Sequence, residues 1–151
     1  MLEACTLLTH EEIASVMAEE IKETKKLEEN ERGFHVSMCL FALPTAGNSI
    51  TVRLVQRAPG ADGRDPREAW NQSFSAGNLQ AGAASPPARP GSPEKVPNLG
   101  DEAYWRGQKR GGALYVLKGN AYFRISLTDT RDKEAAIQKC SALAEMALKR
   151  L

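Results

Sequence analysis

The stretch Gly112-Ala-Leu-Tyr-Val-Leu-Lys-Gly-Asn-Ala-Tyr-Phe-Arg-Ile-Ser-Leu127 constrains the fold of this chain more than any other. It reads as two strands joined at Gly119-Asn120. A glycine leading a two-residue loop suits a type II′ turn, because glycine tolerates the positive φ required there. In that register Val116 faces Phe123 and Leu114 faces Ile125, so one face is wholly apolar. The other face carries Tyr115, Leu117, Tyr122, Arg124 and Ser126, a pattern for a partly wet surface. The chain therefore contains an antiparallel sheet with one face committed to a core.

Other segments supply elements to pack on that sheet. Thr9 starts a helix over 10–21, with Glu12 completing a capping box and Ile13, Val16, Met17 and Ile21 on one face. The charged stretch 22–32 is either a frayed extension of that helix or a short polar edge strand. Residues 34–43 alternate, with Phe34, Val36, Met38 and Leu40 on one side and His35, Ser37, Cys39, Phe41 and Leu43 on the other. The return strand 49–57 points Ile50, Val52 and Leu54 inward. Asp65-Pro66-Arg67-Glu68 opens a helix over 65–75, with Asp65 as N-cap, Pro66 at the first helical position and Glu68 closing a box. Its Trp70 and Phe74 form an aromatic stripe that docks on the sheet. Residues 76–97, rich in Gly, Ala, Ser and Pro, read as a flexible loop inserted within one domain. A short strand with Tyr104 and Trp105 follows. The last helix, 131–150, is capped by Asp129 or Thr130 and buries Ile137, Cys140, Ala144, Ala147, Leu148 and Leu151. The expected architecture is a single α+β domain spanning 1–151: an antiparallel sheet of five or six strands flanked by three helices.

Charge and hydropathy narrow the function classes. A formal net charge of +1 gives no electrostatic reason to expect nucleic acid. No apolar run approaches bilayer thickness, so no membrane span is expected. Only four residues precede Cys5, too few for a secretory signal. The chain is then cytoplasmic, or it is periplasmic or secreted with its signal encoded upstream.

Four side chains invite a zinc reading: Cys5, His10, His35 and Cys39. On an extended strand, however, His35 and Cys39 stand about 13 Å apart, against ligand distances of about 2.3 Å. The same separation disfavours a Cys39–His35 nucleophile pair. Cys5 with His10 lacks an orienting third group. Asp101 and Glu102 point to opposite faces of an extended strand and cannot share acid–base work; Asp101 is better read as a turn residue whose carboxylate serves backbone amides. The basic turn Arg106–Gly112 beside Tyr104 and Trp105 reads as a solvated loop. No metal, cofactor or catalytic set is expected. Cys140 reads as a buried hydrophobe. Cys5 and Cys39 are either a disulfide, which would add roughly 3–4 kcal/mol by loop closure, or two unrelated thiols.

The motifs Cys5-Thr-Leu-Leu-Thr-His-Glu-Glu-Ile13, Cys39 on a strand, Val96-Pro-Asn-Leu-Gly-Asp-Glu-Ala103 and the terminal hairpin plus helix resemble a group of small uncharacterised bacterial envelope proteins. Many of these are lipoproteins or secreted proteins of PsbP-like architecture. The resemblance covers nearly the whole chain through short structural motifs. It implies a Cys5–Cys39 disulfide, an oxidising compartment, and no activity whose catalytic residues could be transferred.

Three functional expectations follow. The first is a non-enzymatic cell-envelope module, structural or binding a protein partner. The second is a binder of a small apolar ligand held between the sheet and the 65–75 helix, with Trp70, Phe74, Tyr104 and Trp105 as ligand-facing aromatics and 76–97 as a lid. The third is a Cys5-dependent enzyme.

Overall fold

The structure, a computed structural model, describes residues 3–44, 49–60, 63–74, 94–96, 99–107, 111–119, 121–128 and 133–150. It is α+β. Helices α1 (Ala4–Leu7) and α2 (His10–Met17) precede strands β1 (Glu23–Glu31), β2 (Phe34–Ala42) and β3 (Ser49–Arg57). Helix α3 (Pro66–Phe74) is followed by β4 (Glu94–Lys95), β5 (Glu102–Gly107), β6 (Gly111–Lys118), β7 (Ala121–Thr128) and α4 (Lys133–Leu148). The seven strands form one antiparallel sheet in the order β1-β2-β3-β7-β6-β5-β4.

The β6–β7 hairpin has the register read from the sequence. Val116 pairs with Phe123 and Leu114 with Ile125, while Lys118 and Ala121 flank the turn and Gly119 has φ +58°. These apolar residues continue across the sheet. Ile50, Val52 and Leu54 of β3 and Cys39 and Phe41 of β2 share their face, as do Ala103 and Trp105 of β5. Helices α1, α2 and α4 cover this face. Buried Leu7, Ile13, Ala136, Cys140, Leu143, Ala144 and Ala147 close the core. Alanines and a cysteine along α4 let its backbone lie close to the sheet.

Against the expected five or six strands and three helices, the described residues form seven strands and four helices, and 22–32 takes the edge-strand reading of the two offered for it. The first helix ends at Met17 rather than residue 21, because Ala18 turns left-handed (φ 60°). The backbone then extends. Lys22 N–H donates to Ala42 C=O at 2.8 Å, and 23–31 pairs with β2 over nine register positions. The ladder forms with Leu27 as its one large apolar side chain because β1 is an edge strand, where Lys and Glu also discourage pairing with another chain. The extra strand, Glu94–Lys95, lies within the segment expected to be a loop; it pairs with Trp105 and Tyr104. Residues 76–93 and 97 of that loop lie outside the described residues, as do Asp129, Thr130 and Leu151. On α4, Ala136 and Leu143 are buried where Ile137 and Leu148 were expected, and the latter two are only partly buried.

The extra helix is α1, one turn with no side-chain N-cap. Its hold is tertiary. Cys5 is disulfide-bonded to Cys39 with Cα atoms 5.1 Å apart, and Ala4 N–H donates to the buried Ser37 Oγ at 2.8 Å. The α2 capping box forms as expected, with Glu12 N–H donating to Thr9 Oγ1 at 3.1 Å and Thr9 N–H to Glu12 Oε1 at 2.9 Å. Glu12 also receives Arg150 at 2.8 Å, and Arg150 donates to Leu7 C=O at 3.0 Å. One guanidinium thus fastens the end of α4 to both N-terminal helices.

A disulfide closing a 34-residue separation is worth roughly 3–4 kcal/mol in the loop-entropy account. The Cys5→Ser/Cys39→Ser chain is expected to lose about that much stability in urea unfolding, with a steeper slope because its unfolded chain is no longer cross-linked. Equal stability in the two chains would show that the bridge contributes nothing to the fold.

Candidate functional site

Among the described residues, the opposite sheet face is covered by α3, over part of its area. Alternation places Phe34, Val36, Met38 and Leu40 of β2 there, next to Thr51, Arg53, Val55 and Arg57 of β3. Tyr122, Arg124 and Ser126 of β7 continue the surface, followed by Tyr115 and Leu117 of β6 and Glu102, Tyr104 and Arg106 of β5.

Local chemistry starts α3 where the sequence indicates. Pro66 is its first residue, and Asp65 Oδ1 accepts the Arg67 N–H at 3.0 Å. Glu68 does not complete the expected box; its carboxylate lies 3.4 Å from the Arg64 guanidinium. The helix is anchored at one side. Trp70 is 1% exposed, packs with Tyr104 and Tyr122 at ring-centroid distances of 5.9 and 5.6 Å, and donates its indole N–H to Glu102 Oε2 at 2.6 Å. Arg67 supplies the second anchor, donating to Gly119 C=O at 2.8 Å and Asp101 Oδ2 at 2.7 Å. The same Asp101 oxygen accepts the Gly119 N–H at 2.8 Å, the backbone-serving role expected of it. Asp101 and Glu102 were expected on opposite faces, yet both reach α3. The strand begins only at Glu102, and Gly100 (φ +53°) turns the preceding residue. A Cβ on Gly100 would meet Leu117 C=O at 2.5 Å, so the turn requires glycine.

Away from Trp70, a groove of about 210 Å³ remains between α3 and the sheet. Phe34, Val36, Val55 and Ala69 supply its apolar surface, while Arg32, Arg53, Arg64 and Tyr122 supply its polar groups. The arginines come from three different contexts. Arg32 occupies the β1–β2 turn with φ +50°, Arg53 the middle of β3, and Arg64 the approach to α3. Arg64 lies over the Phe34 ring, 5.5 Å from its centroid. Burial pushes the Tyr122 phenol up from its ordinary value, against the opposing effect of the Arg53 guanidinium that donates to it. It is therefore a neutral hydroxyl under ordinary conditions, with its hydrogen available to donate.

The expected ligand-facing aromatics do not converge. Trp70 and Tyr104 meet on the α3 side but fill their part of the interface, and neither lines the groove. Trp105, being adjacent to Tyr104 on a strand, faces the opposite way into the core. Phe74 ends α3, and its side chain lies outside the described residues. Sequence reasoning missed Arg32, Arg53 and Arg64. The available signal was arginine on the outward side of an otherwise apolar strand; the rest is tertiary.

The other candidate residues separate. Cys5 and Cys39 are bonded to each other. His10 stacks edge-on to Phe41 at 5.9 Å and lies 3.1 Å from Thr24 Oγ1, whereas His35 Nδ1 lies 2.9 Å from Asn30 Oδ1. Among the described residues no group of three His, Cys, Asp or Glu side chains is placed to hold a metal ion, and no helix is long and apolar enough to cross a membrane. Burial pushes the Cys140 thiol up to about 12.

Fold and site together define an α+β module with an open seven-stranded antiparallel sheet and a groove between that sheet and α3. Comparison with protein-family models, curated proteins and solved structures gave no match.

Two outcomes follow. Asp101→Ala removes a half-exposed ion pair and a backbone acceptor, an expected loss of about 1–2 kcal/mol in stability. Unchanged urea unfolding would show that this clamp is immaterial. Cys140 keeps its proton in the folded state while the unfolded thiol ionises near 9.0. Its contribution is therefore fully present below the unfolded value and lost as pH rises through the folded one. Cys140→Ala should flatten the decline in stability across that alkaline window; an identical slope in both chains would contradict the assignment.

Proposed function

We propose that this chain is a non-enzymatic module of the cell envelope, PsbP-like in arrangement, that binds a small ligand between its sheet and α3. The observation that carries the reading is the groove: one half of this interface is filled by Trp70, Tyr104 and Leu117, and the other half is open. Its volume corresponds to about seven waters at roughly 30 Å³ each, the scale of a fragment-sized molecule. The lining combines apolar surface with a few convergent polar groups, the usual composition of a ligand site. It offers guanidinium groups and a neutral phenol, which bind and orient but supply no nucleophile–base pair. Cys5, the residue on which an enzymatic reading would rest, holds its sulfur in the bridge.

The oxidising compartment is supported by the same bridge, since disulfides persist in exported proteins and are rare in the cytosol. A protein partner is a second reading, favoured by Leu27, which is 55% exposed beside Met38 on the edge of the same face.

Titration with fragment-sized aromatic compounds of both charges and none, followed by amide NMR, tests the ligand reading. Shifts should concentrate at residues 34–36, 53–55, 64–69 and 122 and saturate for at least one compound. Perturbations scattered over the surface, or none, would contradict it. Under denaturing conditions the isolated protein should titrate one thiol without reductant and three with it; three thiols in both would remove the exported compartment.

A further inference from the structure

The groove's chemistry specifies its occupant further. Among the described residues, three arginines line it and no carboxylate does. Glu68 reaches Arg64 from the side of α3, and Glu29 stands opposite Val36 on the neighbouring strand; both lie outside the lining. Arg53 also pairs directly across the strands with Arg124, and like charges in that position repel. Two of the arginines are already oriented: Arg64 lies over Phe34, and Arg53 donates to Tyr122. A guanidinium held in place loses less freedom when it binds an anion.

Arg32 supplies an independent sign. It leads the two-residue loop between β1 and β2, and its φ of +50°, with Gly33 at +87°, matches a turn that favours Asn-Gly. Turn chemistry gives no reason for arginine there. Its place in the groove lining does.

The apolar half of the lining limits the kind of anion. An inorganic ion would leave Val36, Val55 and Ala69 wet, whereas a neutral apolar molecule would desolvate arginines without pairing them. We propose that the groove receives a small organic carboxylate, its apolar body on Val36, Val55 and Ala69 and its carboxylate between Arg32, Arg53 and Arg64. This rests on the groove being a ligand site.

The test titrates the intact, disulfide-bonded chain with benzoate, benzamide and inorganic phosphate by amide NMR. Benzoate should saturate at the groove, and both other probes should bind at least tenfold more weakly. Arg32→Gln/Arg64→Gln, which alters two exposed side chains, should weaken benzoate at least tenfold and leave benzamide unchanged. Arg32→Asn should raise the unfolding midpoint, since Asn suits the turn, while weakening benzoate. Equal affinity for benzoate and benzamide would overturn the anionic class but keep the ligand site. Equal affinity for phosphate and benzoate would overturn the organic body. Failure of every probe to saturate below about 10 mM would overturn both the class and the site.

Discussion

The structure depends on the pairing of β3 with β7. Six register pairs, from Ile50–Leu127 to Val55–Tyr122, join two antiparallel meanders that are otherwise separate in sequence. On one face this ladder places Ile50, Val52 and Leu54 against Leu127, Ile125 and Phe123, the centre of the core. On the other it sets Arg53 against Arg124 and Val55 against Tyr122, beside and beneath the groove. A one-residue slip would exchange the two sets and expose the core residues. Core packing therefore fixes the positions of the groove residues. A site on such a ladder is held more firmly than one carried by loops.

The two faces are secured by different physics. Against the core face, α1, α2 and α4 are held by buried apolar side chains, by the disulfide, and by Arg150 linking the chain ends. Against the other face, the described anchors of α3 are buried Pro66 and Trp70 and the exposed Arg67, whose partners Asp101 and Gly119 are exposed as well. Local opening free energy falls where buried apolar contacts are few and hydrogen bonds are open to solvent. The groove thus has a rigid sheet floor and a more weakly held helical wall. Its anchored edge is the one nearest Trp70, and Arg64 and Ala69 line the groove.

How much of this was legible in the sequence depends on the range of the forces concerned. The β6–β7 register could be read because a two-residue alternation and a turn glycine act locally, and the starts of α2 and α3 because capping is local too. The end of α2 was not legible: Ala18 carries no intrinsic preference for a left-handed backbone and adopts it to deliver Lys22 to Ala42. β1 was only half legible for a related reason: an edge strand rich in Lys, Glu and Asn shows no apolar period, so the residues left a frayed helix and an edge strand both open. The Cys5–Cys39 pairing followed from a resemblance, whereas the residues alone left it open. The groove was the least legible part. Arg32, Arg53 and Arg64 share no spacing and meet only through sheet order and the position of α3.

That arrangement carries a cost which bears on its meaning. A chain with a net charge of +1 has enough carboxylates to neutralise its arginines locally. Here many are placed elsewhere: Glu3 and Glu28 engage Lys26, and Glu12 engages Arg150. Arg53 meanwhile faces Arg124, and Arg32 sits in a backbone conformation that disfavours it. Each of these choices weakens the folded state slightly, by tenths of a kcal/mol to about 1 kcal/mol. Selection for stability alone would favour a carboxylate or a smaller residue at such positions. Residues that break a local rule mark the places where a fold serves something besides itself. On this chain they surround the groove.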